Sequence, residues 1–120
     1  MKITIGLEAV IDISDCNTNN IHDYKYLQKI MYYIAKTMKT TIVGEIHHQF
    51  TPHGITIMAI VADSHIAIHT WPEYNHVSID IFSCNKYIPE TLINYLGEIL
   101  YSKDIKYHFI ERKTNIKSNT

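Results

Sequence analysis

The run from Ala62 to Tyr74 sets an acid (Asp63), a hydroxyl (Ser64), two imidazoles (His65, His69), an indole (Trp71) and a second acid (Glu73) close together. Ile66, Ala67 and Ile68 keep the run apolar enough to be partly buried. Three chemistries are open to these residue types. His65 and His69, four apart, share a face on a helix or a strand, and His47, His48 and His53 are further candidate ligands. A zinc site needs three or four ligands with a supporting second shell, and no compact Cys/His motif is present, so no metal is expected. A Ser-His-Asp hydrolase is a second reading, but Ser64 lacks the Gly-x-Ser-x-Gly elbow and nothing selects a base among eight histidines. The third uses the backbone. The Ser64 hydroxyl attacks the Asp63 carbonyl carbon to give an ester, and loss of the Ser64 Cα proton expels the acyl oxygen. The resulting dehydroalanine hydrolyses to a pyruvoyl group with release of ammonia. That route requires an oxyanion donor and a nearby base. Spacing alone does not choose among the three, and a serine before a histidine on a strand is ordinarily a satisfied polar pair.

These residues need a scaffold. Residues 2–13 alternate, with Ile3, Ile5, Leu7, Ala9, Ile11 and Ile13 on one face, which predicts a strand. From Asp23 to Met38 the period changes, and Tyr24, Leu27, Met31, Ile34 and Met38 form one stripe of an amphipathic helix. Thr40 to Phe50 reads as a strand, Thr51-Pro52-His53-Gly54 as a turn, and Ile55 to Ala62 as a central strand leading into the chemical run with no ordinary turn signal between. Trp71 to Asn75 breaks the pattern before Val77, Ile79 and Ile81 resume it. Pro89 and Glu90 open a second helix carried by Leu92, Ile93, Leu96, Ile99 and Leu100. Ile105 to Ile110 reads as a last strand, and Thr114 to Thr120 as a frayed polar tail. The expected fold is α+β: a two-layer α/β sandwich, mainly antiparallel, with two helices on one face. The opposite sheet face mixes polar and aromatic residues with Ile, Met and Val, which suits coverage by a second subunit. Regular alternation would put Ser64 and His69 on opposite sides of a strand, so a bend is expected near the Asp63–Ser64 bond.

The 120 residues suit one domain spanning 1–120. Eleven basic and twelve acidic residues give a net charge of -1, with no basic excess pointing to nucleic acid or an anionic membrane. No apolar run approaches a bilayer span and the first residues lack a signal-peptide pattern, so a cytoplasmic location is expected. In a reducing compartment Cys16 and Cys84 read most simply as two small buried thiols.

The run Asp63-Ser64-His65-Ile66-Ala67-Ile68-His69-Thr70-Trp71-Pro72-Glu73-Tyr74 resembles the signature of the small prokaryotic pyruvoyl-dependent S-adenosylmethionine decarboxylases. The resemblance covers residues 2 to 112. Gly6 and Cys16 match around the first strand, Phe50-Thr51-Pro52-His53-Gly54-Ile55-Thr56 is similar to Phe-x-Pro-x-Gly-Val-Ser/Thr, and Ile79-Asp80-Ile81-Phe82-Ser83-Cys84 to Asp-x-Phe-Thr-Cys. The resemblance implies self-cleavage between residues 63 and 64, giving a beta chain 1–63 and an alpha chain 64–120. Ser64 would become the pyruvoyl group that forms the Schiff base with substrate, in place of pyridoxal phosphate. His69 would be the processing base, Thr56 would hold the ester, and Cys84 would be the proton donor. Phe50 and His69 would sandwich the adenine, Trp71 would line the pocket, and Glu73 would hold the ribose hydroxyls. A homodimer with active sites at its interface, a small-molecule substrate and a role in spermidine biosynthesis are implied with them.

The chain departs from the pattern at Asp63, where Glu is usual, and at Asn75 and Asn85, where glycine is common. Both asparagines tolerate positive φ better than most residues. Leu7 and Glu8 replace a basic residue and a histidine, and Ser14 stands where many relatives carry an aromatic. A surface acid is the plain reading of Glu8. The sharper one is recognition of a cationic amine or guanidinium, which keeps L-arginine or L-ornithine open as alternative substrates. An unprocessed, non-catalytic homologue acting as a binding or regulatory subunit is the alternative from another class.

Overall fold

The computed structural model describes residues 1–117. Six strands, Lys2–Ser14 (β1), Ile42–Gln49 (β2), Ile55–Val61 (β3), Ser64–Trp71 (β4), His76–Ser83 (β5) and Asp104–Asn115 (β6), form one sheet in the order β2-β3-β4-β5-β1-β6. Every neighbouring pair is antiparallel. Two helices, Tyr24–Thr37 (α1) and Glu90–Ile99 (α2), contribute to one buried cluster with one face of the sheet. This is the expected two-layer α+β sandwich.

The register explains the core. Ile57 stands opposite Ile68, Ile68 opposite Ile79 and Ile79 opposite Ile11, so four fully buried isoleucines run across β3, β4, β5 and β1. Ala59, Ile66, Ile81 and Ala9 form the row beside it. Because side chains alternate along a strand, the chain neighbours of these residues occupy the other face, and slipping one strand by one residue would invert it. Leu27, Ile30, Met31, Ile34 and Ala35 of α1, and Leu92, Ile93 and Leu96 of α2, close the layer. Asp23 caps α1 by accepting from the Lys25 amide at 3.0 Å. A clasp ties α1 to the edge strand. Tyr24 donates to Glu45 Oε2 at 2.7 Å and its ring stacks on His47 at 3.8 Å. Bonding to the Glu45 carboxylate, with burial, pushes the Tyr24 hydroxyl up to about 12.

The structure corrects several expectations. The apolar face of β1 begins at Leu7 rather than Ile3. Ile3 and Ile5 are 46% and 47% exposed, and a register shift between Thr4 and Gly6 reverses the alternation there. β6 runs from Asp104 to Asn115, well beyond Ile110, because β1 offers partners as far as Lys2, opposite Asn115. Thr114 and Asn115 are therefore strand rather than tail, and the end of the expected tail, 118–120, lies outside the described residues. Asn75 is left-handed at φ 51°, as its residue type allows, but in the turn after Cys84 the left-handed residue is Lys86, not Asn85. Asn85 instead accepts from the Tyr87 amide at 2.9 Å. The sheet face away from the helices carries exposed Ile46, Met58 and Ile60, at 71%, 47% and 65%.

Truncating the row tests the register. Ile68→Ala is expected to lose about 2–5 kcal/mol, by lost burial and the cavity left between Ile57 and Ile79, measured as the fall in urea midpoint.

Candidate active site

Residues expected to act together fall into two groups. The first is built on β3, β4 and their flanking turns. Thr56 pairs with His69 across the two strands, and Thr56 Oγ1 lies 3.1 Å from His69 Nδ1. Phe50, Thr56, His69, Trp71 and Glu73 line one open cleft of about 500 Å³, together with His53, Gly54 and Thr70. Thr70 faces the core and its hydroxyl accepts from the Ile55 amide at 2.9 Å, anchoring the turn that ends at Gly54. A chain reversal at Pro72–Tyr74 carries Glu73 back over the cleft.

The second group is at the other end of β4. Val61 pairs with Ser64, so Ala62 and Asp63 form a tight two-residue turn. The sequence carries no ordinary turn signal there, neither Gly nor Pro. Asp63 is left-handed at φ 66°, a conformation that aspartate accepts more readily than most residues but that still disfavours an L side chain. Ser64, the first residue of β4, accepts from the Cys84 amide at 3.0 Å. Ser64, Asp63 and Cys84 are thus neighbours. Cys84 is exposed and Cys16 buried, so the buried-thiol reading holds for one cysteine and fails for the other. Burial, with the nearby Asp15 charge, pushes the Cys16 thiol up to about 11.

The expected bend lies on the Asp63 side of the bond, and it does not unite the two groups. β4 is regular from Ser64 to Trp71, so His69 stands about 16 Å along the strand from Ser64 and on the opposite face. His65 and His69 share a face but are about 13 Å apart, too far to share one ion. Among the described residues no three His, Cys, Asp or Glu side chains gather where they could hold a metal.

Residues 7–113 match the family model described as S-adenosylmethionine decarboxylase. The chain belongs to that family. A relative from Acidithiobacillus ferrooxidans, named S-adenosylmethionine decarboxylase proenzyme, is 38% identical over 96 residues, 79% of this chain and 72% of that one. One from Clostridium botulinum with the same name is 36% identical over 108 residues, 89% of this chain and 93% of that one. The crystal structure of the adenosylmethionine decarboxylase from Aquifex aeolicus superimposes with a TM-score of 0.78 at 27% identity, covering 98% of this chain and 96% of that one.

Two features of this S-adenosylmethionine decarboxylase family member escaped the sequence reading. Glu8 is not among the residues lining the cleft. Its Oε1 accepts from Arg112 at 2.8 Å, and that guanidinium lies over the Phe82 ring at 5.8 Å. Glu8 and Arg112 are far apart in sequence, and only the β1–β6 register joins them. The second is a polar network on the open face. Ser78 donates to Asp12 Oδ1 at 2.6 Å, His76 Nε2 lies 3.2 Å from the same oxygen, and His76 Nδ1 lies 3.1 Å from Ser14 Oγ. The His76 ring also tilts against Trp71 at 5.7 Å. The polar faces of β1 and β5 could have suggested it, since Asp12 and Ser78 are paired positions.

The Ser78 hydrogen bond holds the Asp12 carboxyl below its ordinary value; burial opposes this and His76 adds to it. A lowered folded value means that the stabilising contribution is present above the ordinary carboxylate range and is lost as pH falls through the folded value. Asp12→Asn should therefore unfold at lower urea than the unaltered protein at pH 7. The gap should close below about pH 4.

Proposed function

We propose that this chain is a self-processing S-adenosylmethionine decarboxylase, cut between Asp63 and Ser64, whose product is an aminopropyl donor for polyamine synthesis in the cytoplasm. The cleft carries this reading. Phe50, Thr56, His69, Trp71 and Glu73, each expected at the site from sequence, line one hollow with aromatic walls and a carboxylate at its rim. Such a hollow suits a nucleoside, with Phe50 and His69 stacking on the base and Glu73 accepting from the ribose hydroxyls. The proenzyme names of the relatives support self-processing.

The region around Ser64 fits a pyruvoyl precursor. The bond to be cut lies in an exposed turn, after a left-handed residue, and Ser64 Oγ is held by the Cys84 amide. Attack of that oxygen on the Asp63 carbonyl carbon transfers the acyl group from nitrogen to oxygen. Removal of the Ser64 Cα proton then releases Asp63 as a free carboxylate. Once formed from Ser64, the pyruvoyl group would supply an electron sink for loss of carbon dioxide. Cys84, beside it and exposed, would return a proton to the carbon that loses carbon dioxide.

His69 is too far along β4 to serve Ser64 of its own chain. We infer that two copies pack their open sheet faces together, so that the Thr56–His69 cleft of one meets the Ser64–Cys84 end of the other. Exposed Ile46, Met58 and Ile60 on that face support such a homodimer. The basic amino acid alternatives rested on Glu8 recognising a cationic group of the substrate, and Arg112 of the chain itself meets that carboxylate.

Ser64→Ala is expected to remain one chain without activity, while the unaltered protein runs as fragments 1–63 and 64–120 on a denaturing gel. His69→Ala alone should process poorly. Coexpressed with Ser64→Ala, its chain should be cut, since a mixed dimer contains one complete site. Failure of that rescue, with mixed dimers present, would overturn the shared-site inference, and full processing of His69→Ala alone would place His69 outside the processing step. Carbon dioxide release should occur with S-adenosylmethionine and not with arginine or ornithine; release only with a basic amino acid would overturn the substrate reading.

A further inference from the structure

His53 sits in the same cleft as the substrate residues, and neither its residue type nor its position assigns it a task. Its Nε2 lies 3.1 Å from Glu73 Oε2. The turn that carries it is well anchored. The Phe50 amide donates to the Gly54 carbonyl at 2.7 Å, and the Ile55 amide donates to Thr70 Oγ1 at 2.9 Å. Gly54 has φ +108°, and a Cβ there would come within 3.3 Å of the Thr70 carbonyl oxygen, so the turn closes tightly onto the end of β4. His53 is thereby held over the reversal that carries Glu73.

We propose that His53 is a positioning residue that orients the Glu73 carboxylate towards a vicinal diol, making the cleft selective for a ribosyl ligand. The proposal rests on the nucleoside reading of the cleft given above. A glutamate at a partly exposed rim has free rotation about its side-chain bonds, and a diol needs an acceptor in a fixed direction. One oxygen bound to an imidazole N–H leaves the other aimed and available. The contact needs a proton on Nε2, which the imidazolium and one neutral tautomer both supply. Both side chains are more than a third exposed, so the pair contributes little to folding. Its effect should therefore appear in recognition rather than in stability.

Trp71 is the sole tryptophan and lines the cleft, so its fluorescence reports binding directly. The test titrates adenosine and 2′,3′-dideoxyadenosine into the full-length unaltered protein, His53→Ala and His53→Gln, with urea midpoints as the control for folding. The unaltered protein should prefer adenosine. His53→Ala should lose roughly three- to tenfold of the adenosine affinity and none of the dideoxyadenosine affinity. His53→Gln, which keeps a donor, should recover most of the loss. In turnover, KM for S-adenosylmethionine should rise by a similar factor in His53→Ala, with kcat moving far less. Equal adenosine affinity in the unaltered protein and His53→Ala would overturn the proposal, as would an equal loss for both nucleosides. If the unaltered protein bound neither nucleoside, the nucleoside reading would fail and the proposal with it; if it bound both alike, the cleft would take a nucleoside without sensing its diol, and the proposal alone would fail.

Discussion

Cross-strand register is the constraint on which the rest depends. The buried row Ile57, Ile68, Ile79 and Ile11 locks four strands together. Because alternation is regular where these rows cross the strands, the same lock decides what stands on the open face. Thr56 meets His69 only because Ile57 meets Ile68. Asp12 meets Ser78 only because Ile11 meets Ile79. The apolar layer thus does more than stabilise: it sets, to within one residue, which polar groups can touch.

That lock also separates the two halves of the candidate site. A regular β4 cannot fold back to bring Ser64 to His69, and a regular strand is what the core demands. The chain meets both needs by placing one half at each end of the strand, an arrangement that a two-fold pair of copies would complete twice. A single copy would carry two incomplete halves. In the proposed dimer, association would be a condition of the chemistry rather than an addition to it.

Much of this was legible in the sequence, for identifiable reasons. Alternation in β5 and in β1 from Leu7 onward, the apolar run of β3 and the helical stripe of α1 are local patterns set by the core, and they survive into the structure. The cleft was legible because Phe50, Thr56, His69, Trp71 and Glu73 lie within two short motifs on adjacent strands. Contacts that cross the chain were not. The Glu8–Arg112 pair, the Asp12–Ser78–His76–Ser14 network and the His53–Glu73 contact each depend on a register or a turn that no local pattern encodes. The same holds for the turn at Ala62–Asp63. It contains neither Gly nor Pro, and Asp63 takes on the left-handed conformation that a glycine would ordinarily supply.

The location of that turn has a thermodynamic consequence. Val61 and Ser64 are paired neighbours in the sheet, so severing the chain between them would leave β3 and β4 hydrogen-bonded to each other and to β2 and β5. The fold would tolerate the break while it stayed folded. Its unfolded state would not be the same, because a tether that keeps the two segments close would be gone. Refolding would then be a bimolecular encounter, dependent on concentration, in place of a closure within one chain. A protein of this design would assemble as one polypeptide and could not readily repeat the process once cut.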